Sequence, residues 1–338
     1  MKEQHREAVS ATLSDVAREA GVSLATASRV VNGSTRVVAE AYRERVLAAA
    51  QQLGYTANIA AQTTARGTSP TVALLVADIA DPYFGMIAAG VTRGAEEEGL
   101  IVTIAVTGRD SERESELVHA LRGQRPRGVI LASSRASHDG GRLAEELDAL
   151  QSMGGRVAVF GGSSGPSIII DNWGGAKALG AEMARIGYRR AIALVAAAGV
   201  EVSDDRLAGF TAGFAEHGGE VARIYRGGFT RESGGSLMAQ AIADGVPDDT
   251  LVFGVSDVVA VGAMTAARDT GIDVGGAVGF CGFDNVPLTL DVTPKLTTVA
   301  VPLEEIGYEA FRMIVSDDQA VKRDLEVVVR GSTPGVPR

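Results

Sequence analysis

Thr12-Leu-Ser-Asp-Val-Ala-Arg-Glu-Ala-Gly21-Val-Ser-Leu-Ala-Thr-Ala-Ser-Arg29-Val-Val-Asn32 is the stretch whose reading decides how this chain folds. Thr12 and Asp15 have the spacing of a capping box, so a short helix starts there and runs through Val16 and Ala17. Gly21 supplies the residue that ends it. Ser23 can cap a second helix, Leu24 to Val31, which stops at Asn32-Gly33. Only a Gly-Val-Ser turn separates the two, the connection of a helix-turn-helix. A third helix is expected from Ala39 to Leu53, with Tyr42, Val46, Ala49, Ala50 and Leu53 on one buried face and Gly54-Tyr55 closing it.

Three helices in about fifty residues make a domain of low intrinsic stability but sufficient to read DNA. In that geometry the second helix enters the major groove. Arg29 is the candidate base reader, because a guanidinium matches the O6/N7 edge of guanine. Leu24 and Ala25 offer apolar contact to a thymine methyl. Ser23, Thr26, Ser28 and Asn32 suit phosphates, which position a domain without reading sequence, and Thr12 is counted with the DNA-binding residues. Spacing alone also fits a plain helical hairpin with solvated arginines. Charge points to the same end of the chain: residues 1–66 carry eight Lys/Arg and six Asp/Glu, net +2, while the whole chain is at -10. An acidic body repels a phosphate backbone, so nucleic-acid contact is expected from the N-terminal segment. Two ordinary solvated surfaces would produce the same difference.

These residues resemble the headpiece of the LacI/GalR family of bacterial transcription regulators. The family pattern is similar to T-x-x-D-V-A-x-x-A-G-V-S-x-x-T-V-S-R-V-L-N, and this chain departs from it with Ala27 and Val31, apolar for apolar. The resemblance runs from Thr12 to nearly the last residue and leaves residues 1–11 as an extra arm. It implies a hinge helix after Tyr55, where Asn58, Ala61 and Arg66 fit. The position where the family has a minor-groove leucine carries Thr64, a smaller and polar wedge, so weaker or differently placed operator bending is expected. Residues 1–55 are read as headpiece and 56–70 as hinge helix and linker.

From Thr71 onward short apolar runs alternate with helical patterns. The runs are Val72–Ala77, Ile101–Val106, Gly128–Ala132, Arg156–Phe160, Ile168–Ile170, Ala191–Ala196, Val221–Arg226, Leu251–Val255 and Ala277–Cys281. Helical stretches between them include 82–98, 172–186, 204–217 and 256–270. This is the signature of parallel sheets covered on both faces. Some 270 residues exceed one ordinary open sheet. The expected fold is therefore α/β: a small all-α helix-turn-helix headpiece plus a two-lobe, periplasmic-binding-protein-like body with parallel sheets. The first lobe is assigned 71–169 with about 298–322, and the second 170–297 with about 323–338. A ligand is expected between the lobes, at the carboxyl ends of the strands.

Composition and motifs narrow the function. With 46% apolar and 22% charged residues the chain is globular, not disordered. One cysteine, Cys281, excludes a disulfide framework and reads as a small buried hydrophobe. The charged N-terminus is no secretory signal and no apolar run is long enough to span a membrane, so a cytoplasmic, nucleoid-associated protein is expected. There is no phosphate loop, dinucleotide fingerprint or nucleophile elbow, and the four histidines lack metal-ligand spacing; no catalytic residue, cofactor or metal is expected. The Gly161–Gly165 cluster fits either a phosphate cradle or a plain loop.

The resemblance also implies cleft residues. Asp81-Pro82-Tyr83-Phe84 is similar to the family's N-P-F-F turn, with Tyr83 and Phe84 either facing a ligand or packed as core. Asp171, followed by Asn172, matches a D-N pair. Arg206 matches an arginine that bonds ligand hydroxyls or carboxylates; an ion pair with Asp204 or Asp205 is the alternative. Phe229 stands at a ring-stacking position, and Asp284 matches the aspartate of G-F-D-D/N. Ser256-Asp257 replaces the family's N-D, and Gly161-Gly162 replaces a more polar continuation, so polar reach is reduced. A carbohydrate is the default effector, with a nucleoside or another small metabolite as the alternative. A helix-turn-helix reads only a few base pairs, so the implied partners are double-stranded DNA with a pseudopalindromic operator and a second copy of the chain; with no leucine heptads after the core, a homodimer and not a tetramer is expected. Rival classes are a solute-binding protein, which lacks a headpiece, and an α/β enzyme with a fused DNA-binding segment.

Overall fold

The computed structural model describes residues 11–31, 38–56, 67–132, 141–161, 167–316 and 324–336. The chain divides into two compact units, Met1–Pro70 and Thr71–Arg338.

The first unit holds α1 (Leu13–Glu19), α2 (Leu24–Val31) and α3 (Glu40–Gln52). Thr12 caps α1 in a complete capping box with Asp15, so two otherwise orphaned amides are satisfied. Gly21 takes φ 62, a left-handed conformation that only glycine adopts cheaply, and turns the chain toward α2. Ser23 Oγ accepts the Thr26 amide at 3.1 Å, which fixes where α2 begins. Val16, Ala17, Ala20, Ala27, Val46 and Ala49 form the core. Tyr42 departs from the expected buried face. It is 47% exposed and its ring meets the Arg45 guanidinium at 4.9 Å. So small a unit covers a narrow arc of α3, and Val46 and Ala49 fill it. Asn32 and the hinge positions Asn58, Ala61 and Thr64 lie outside the described residues.

The second unit has the expected α/β architecture. Its first sheet is built from β1 (Thr71–Val76), β2 (Ile101–Val106), β3 (Gly128–Ala132), β4 (Arg156–Phe160) and β5 (Ser167–Ile168). Its second is built from β6 (Arg190–Ala196), β7 (Glu220–Gly227), β8 (Thr250–Gly254) and β9 (Val278–Cys281). All pairings within both sheets are parallel, in the orders β2-β1-β3-β4-β5 and β7-β6-β8-β9. The two orders follow one pattern, reversing direction beside the first strand of each lobe, where open α/β sheets form a crevice at their carboxyl ends. Central strands β3 and β8 are buried along their whole length. Edge strands β2 and β7 are not, and Ile101 and Ile224 stand half exposed, so the expectation of cover on both faces fails at the edges. The run expected over Ile168–Ile170 is a strand only to Ile168, because the chain leaves the sheet for the helix cap at Asp171.

Helices α4 (Pro82–Glu97), α5 (Ser111–Arg122) and α6 (Arg142–Ser152) belong to the first lobe; α7 (Asn172–Arg185), α8 (Glu201–Glu216), α9 (Arg231–Ala243) and α10 (Asp257–Asp269) belong to the second. Several pack backbone to backbone. A Cβ at Gly213 of α8 would lie 1.9 Å from the Lys177 carbonyl oxygen on α7, so only glycine permits that approach. After the short α11 (Leu288–Asp291), β10 (Thr298–Ala300) pairs antiparallel with β11 (Glu326–Val328). Bridges from β10 and the residue before it reach Cys281 and Asp284 in the second lobe. The chain then crosses to α12 (Leu303–Val315), which packs against α4: a Cβ at Gly90 would lie 1.9 Å from the Glu304 carbonyl oxygen. Residues after β11 return to the second lobe, where the Ser332 carbonyl accepts from Phe280 and Val336 donates to Ile186.

Candidate functional site

On the first unit, α2 turns Ala27 into the core and leaves Ser23, Leu24, Ala25 and Arg29 exposed. Thr26 and Ser28 are half-buried along the same helix. Leu24 is 52% exposed, an apolar side chain presented to solvent at the helix start. Ser23 Oγ lies 2.9 Å from Thr26 Oγ1, so the two hydroxyls form a small polar cluster at the N-terminus of α2. The Thr12 hydroxyl is occupied: it bonds the Asp15 carboxylate at 2.7 Å. That capping bond holds the Asp15 carboxyl below its usual range.

In the second unit, the loops that leave the strand carboxyl ends converge. At their centre is Arg206 of α8, 2% exposed. Its Nε donates to Asn172 Oδ1 at 2.8 Å, Nη1 to the Val255 carbonyl at 2.9 Å and Nη2 to Asp284 Oδ1 at 2.8 Å. The Phe283 ring covers the guanidinium at 4.0 Å. The ion pair of Arg206 is with Asp284 and not with Asp204 or Asp205; Asp204 pairs instead with Arg226 at 3.1 Å. A buried pair of this kind is costly to desolvate, and its geometry is held by the surrounding bonds. Asp284 itself takes φ 111, a conformation that L-residues rarely adopt.

The other expected residues take different stations. Asp81 caps α4, accepting the Tyr83 amide at 3.0 Å, and is half-buried. Tyr83 is half-buried beside Phe84, which is core. Phe229, 8% exposed, lies under the guanidinium of Arg109 at 4.7 Å. Asp171 spends its carboxylate on the Gly174 amide, and its neighbour Asn172 is the one that reaches Arg206. Asp257 is fully buried below the centre, accepting from Val286 N at 2.9 Å and Thr298 Oγ1 at 2.6 Å. Ser256 is 3% exposed and its Oγ has no hydrogen-bond partner.

Burial sets the electrostatics. It pushes the Asp284 carboxyl up to about 6, against the pull of Arg206, and raises Asp257 well above the ordinary range. Asp81 is raised for the same reason, and the Tyr83 phenol is driven up by burial and then by the charge of Asp284. Such an array offers carboxylate acceptors, guanidinium donors and aromatic faces to a small polar molecule. Sequence reasoning missed Arg109, Phe283 and the Val255 carbonyl. Phe283 was adjacent to a named residue. Arg109 carried one signal, a cation in a Thr-Gly-Arg-Asp turn directly after a strand.

Comparison with known proteins places both units. Residues 12–58 match the family described as bacterial regulatory proteins, lacI family, and residues 181–333 match the periplasmic binding protein-like domain. The HTH-type transcriptional repressor CytR of Escherichia coli (strain K12) is 31% identical over 346 aligned positions, covering 100% of both chains. The crystal structure of a LacI-family transcriptional regulator from Silicibacter pomeroyi superposes with a TM-score of 0.79 at 26% identity, covering 96% of this chain and 99% of that one. A complex of the transcriptional regulator CelR with cellobiose gives a TM-score of 0.67 at 28% identity, covering 95% of this chain and 99% of that one.

Proposed function

This chain belongs to the lacI family of bacterial regulatory proteins, an effector-controlled DNA-binding transcriptional regulator, and on that premise we propose how its parts divide the work. Residues 1–55 read DNA and 56–70 form a hinge and linker. The lobes, 71–169 with about 298–322 and 170–297 with about 323–338, hold a small-molecule effector between them. Arg29 reads a base edge; Leu24 and Ala25 make apolar groove contacts; Ser23, Thr26, Ser28 and Asn32 position the headpiece on phosphates, and Thr12, the cap of α1, stands among the DNA-binding residues. Asn58, Ala61 and Thr64 belong to the hinge. Asp81, Tyr83, Phe84, Asp171, Arg206, Phe229, Ser256, Asp257 and Asp284 form the effector site and its supporting shell. The chain acts as a repressor in the cytoplasm, as a homodimer on a pseudopalindromic operator.

The observation that carries this reading is the Arg206–Asp284 clasp at the strand ends, present in the same chain as an exposed α2. Its effector is read as a hydroxyl-rich molecule of the sugar class; one structural relative is a regulator solved with cellobiose. The test is selection of bound DNA from a random pool at physiological salt. A pseudopalindromic sequence is the expected product. Binding that is salt-sensitive and blind to sequence would overturn the operator assignment.

A further inference from the structure

Resting on the reading of the cleft as an effector site, we propose that the effector carries an oxyanion, a carboxylate or phosphate on a hydroxylated body, and that Arg109 binds it.

Arg109 is placed by its turn. Asp110 N donates to the Thr107 carbonyl at 3.3 Å, and both central residues are left-handed, Gly108 at φ 67 and Arg109 at φ 62. That is the type I′ arrangement, whose central positions favour glycine, asparagine and aspartate. The Thr107 hydroxyl locks the turn to β1 by donating to the Val76 carbonyl and accepting the Arg109 amide, each at 3.3 Å. Backbone in so disfavoured a conformation persists only where the surrounding structure holds it, and that fixes where the Arg109 side chain leaves the chain. The guanidinium lies 4.7 Å from the Phe229 ring of the second lobe and 6.0 Å from Phe84 of the first.

The two arginines of the site differ in what they bond. Arg206 donates to three acceptors and its charge is balanced by Asp284. Arg109 Nε is buried with no hydrogen-bond partner, and among the described residues no acceptor or carboxylate bonds its side chain. Asp81 and Asp78 act on it only from a distance, and Asp81 Oδ1 is already engaged with the Tyr83 amide. Aromatic faces attract a guanidinium but leave its edge donors unbonded. Burial lowers the Arg109 pKa, yet a guanidinium does not release its proton in a protein. Arg109 is half-buried, with its Nε the buried donor, and the partner that satisfies a partly desolvated, planar, multi-donor cation is a bidentate oxyanion. The carboxylates of Asp81 and Asp284 suit the hydroxyls of the same molecule, and the rings of Phe229 and Tyr83 suit its apolar face.

The experiment is isothermal titration of the full chain with glucose, gluconate, a glucose phosphate ester and inorganic phosphate, repeated on Arg109→Gln and Arg109→Lys. Circular dichroism melts show that each variant is folded. An acidic sugar should bind at least about tenfold tighter than glucose, a preference that Arg109→Gln erases and Arg109→Lys retains in part. Gluconate against the phosphate ester tells carboxylate from phosphate, and inorganic phosphate should compete with whichever binds. Glucose binding as tightly as its acidic partners overturns the proposal, as does an acidic preference that survives in Arg109→Gln. So does the absence of binding by every anion to a chain that selects a defined DNA sequence. Failure to select DNA overturns instead the regulator reading on which the proposal rests.

Discussion

Removing either partner of the Arg206–Asp284 clasp should destabilise the body, but with opposite dependence on pH. Arg206 is 2% and Asp284 4% exposed, so each variant strands a buried group. Asp284→Asn suits the φ of 111 and keeps an acceptor oxygen, but leaves a guanidinium that cannot shed its charge. Breaking such a pair costs about 3–5 kcal/mol, and the retained hydrogen bond puts this variant at the low end. Arg206→Met leaves a carboxyl that escapes its charge by taking up a proton. Holding that proton costs about 1.4 kcal/mol for each pH unit above the unfolded value, so roughly 4 kcal/mol at pH 7. In the intact protein the Asp284 pKa is raised to about 6 by burial, from an ordinary 3.8. Its contribution to stability is therefore complete below the unfolded value and is lost as pH rises through about 6. Between pH 7 and 5 the intact protein gains roughly 1 kcal/mol from this group, Arg206→Met nearly 3 kcal/mol, and Asp284→Asn nothing. The Arg206→Met deficit thus narrows by roughly 1–2 kcal/mol over that range, while the Asp284→Asn deficit widens by about 1 kcal/mol. Urea unfolding followed by Trp173, the chain's one tryptophan, measures both, since it lies on α7 beside Asn172. Deficits that move in the same direction, or an Asp284→Asn protein within about 0.5 kcal/mol of the intact one at pH 7, would refute the argument.

Arg29→Ala should cost about 1–3 kcal/mol in binding to the selected operator and relax its preference at one base position. Fluorescence anisotropy on the selected DNA measures this, and unchanged affinity sinks the base-reading assignment. Thr12→Ala removes the capping box of α1 and should cost about 0.5–2 kcal/mol, read as faster hydrogen exchange of the α1 amides with no change in the body. Gly213→Ala drives a methyl group into the Lys177 carbonyl and should destabilise the second lobe by about 1–3 kcal/mol. A thermal melt within a degree of the unmodified chain would contradict that packing.

The sequence was most readable where one local signal decides one local structure. The Thr12–Asp15 spacing, Gly21 and Ser23 each act within four residues, and each appears as read. The apolar runs marked the central strands because a strand buried on both faces must be apolar throughout. Periodicity overstated Tyr42, because a helical stripe tells which residues share a face but not how much of that face a small partner covers. The cleft was harder to read. Arg206, Asp284 and Asn172 are joined across separations of 34 and 78 residues, and no local pattern encodes such pairs. Arg109 was missed because its significance depends on what its side chain does not bond, and that is a property of the folded surroundings.

On the proposed reading of the cleft as an effector site, the position of the clasp gives events there a route to the rest of the body. Asp284 N donates to the Val299 carbonyl at 3.0 Å, and Val301 N donates back to the Asp284 carbonyl at 3.3 Å. Beneath it, Asp257 receives both Val286 N and the Thr298 hydroxyl. The strand bonded by these residues runs through Val301 and Pro302 into α12, which seats Gly307 against the Ile87 carbonyl of α4. The cap of α4 is Asp81, at the other wall of the cleft. A path of covalent bonds, hydrogen bonds and one close helix–helix contact therefore starts at Asp284 and ends at Asp81, passing through the segment that joins the lobes. A ligand that bonds Asp284 and Asp81 together bears on both ends of that path and favours one angle between the lobes over others. Packed interfaces hold discrete arrangements and do not deform continuously, so a difference of this kind selects between states. If DNA binding prefers one of those states, operator and effector affinities are coupled reciprocally, typically by about 1–3 kcal/mol. Inserting a residue between Val301 and Leu303, beyond the last bond to Asp284, would break the path while sparing both walls, so effector binding should persist while its effect on operator affinity disappears.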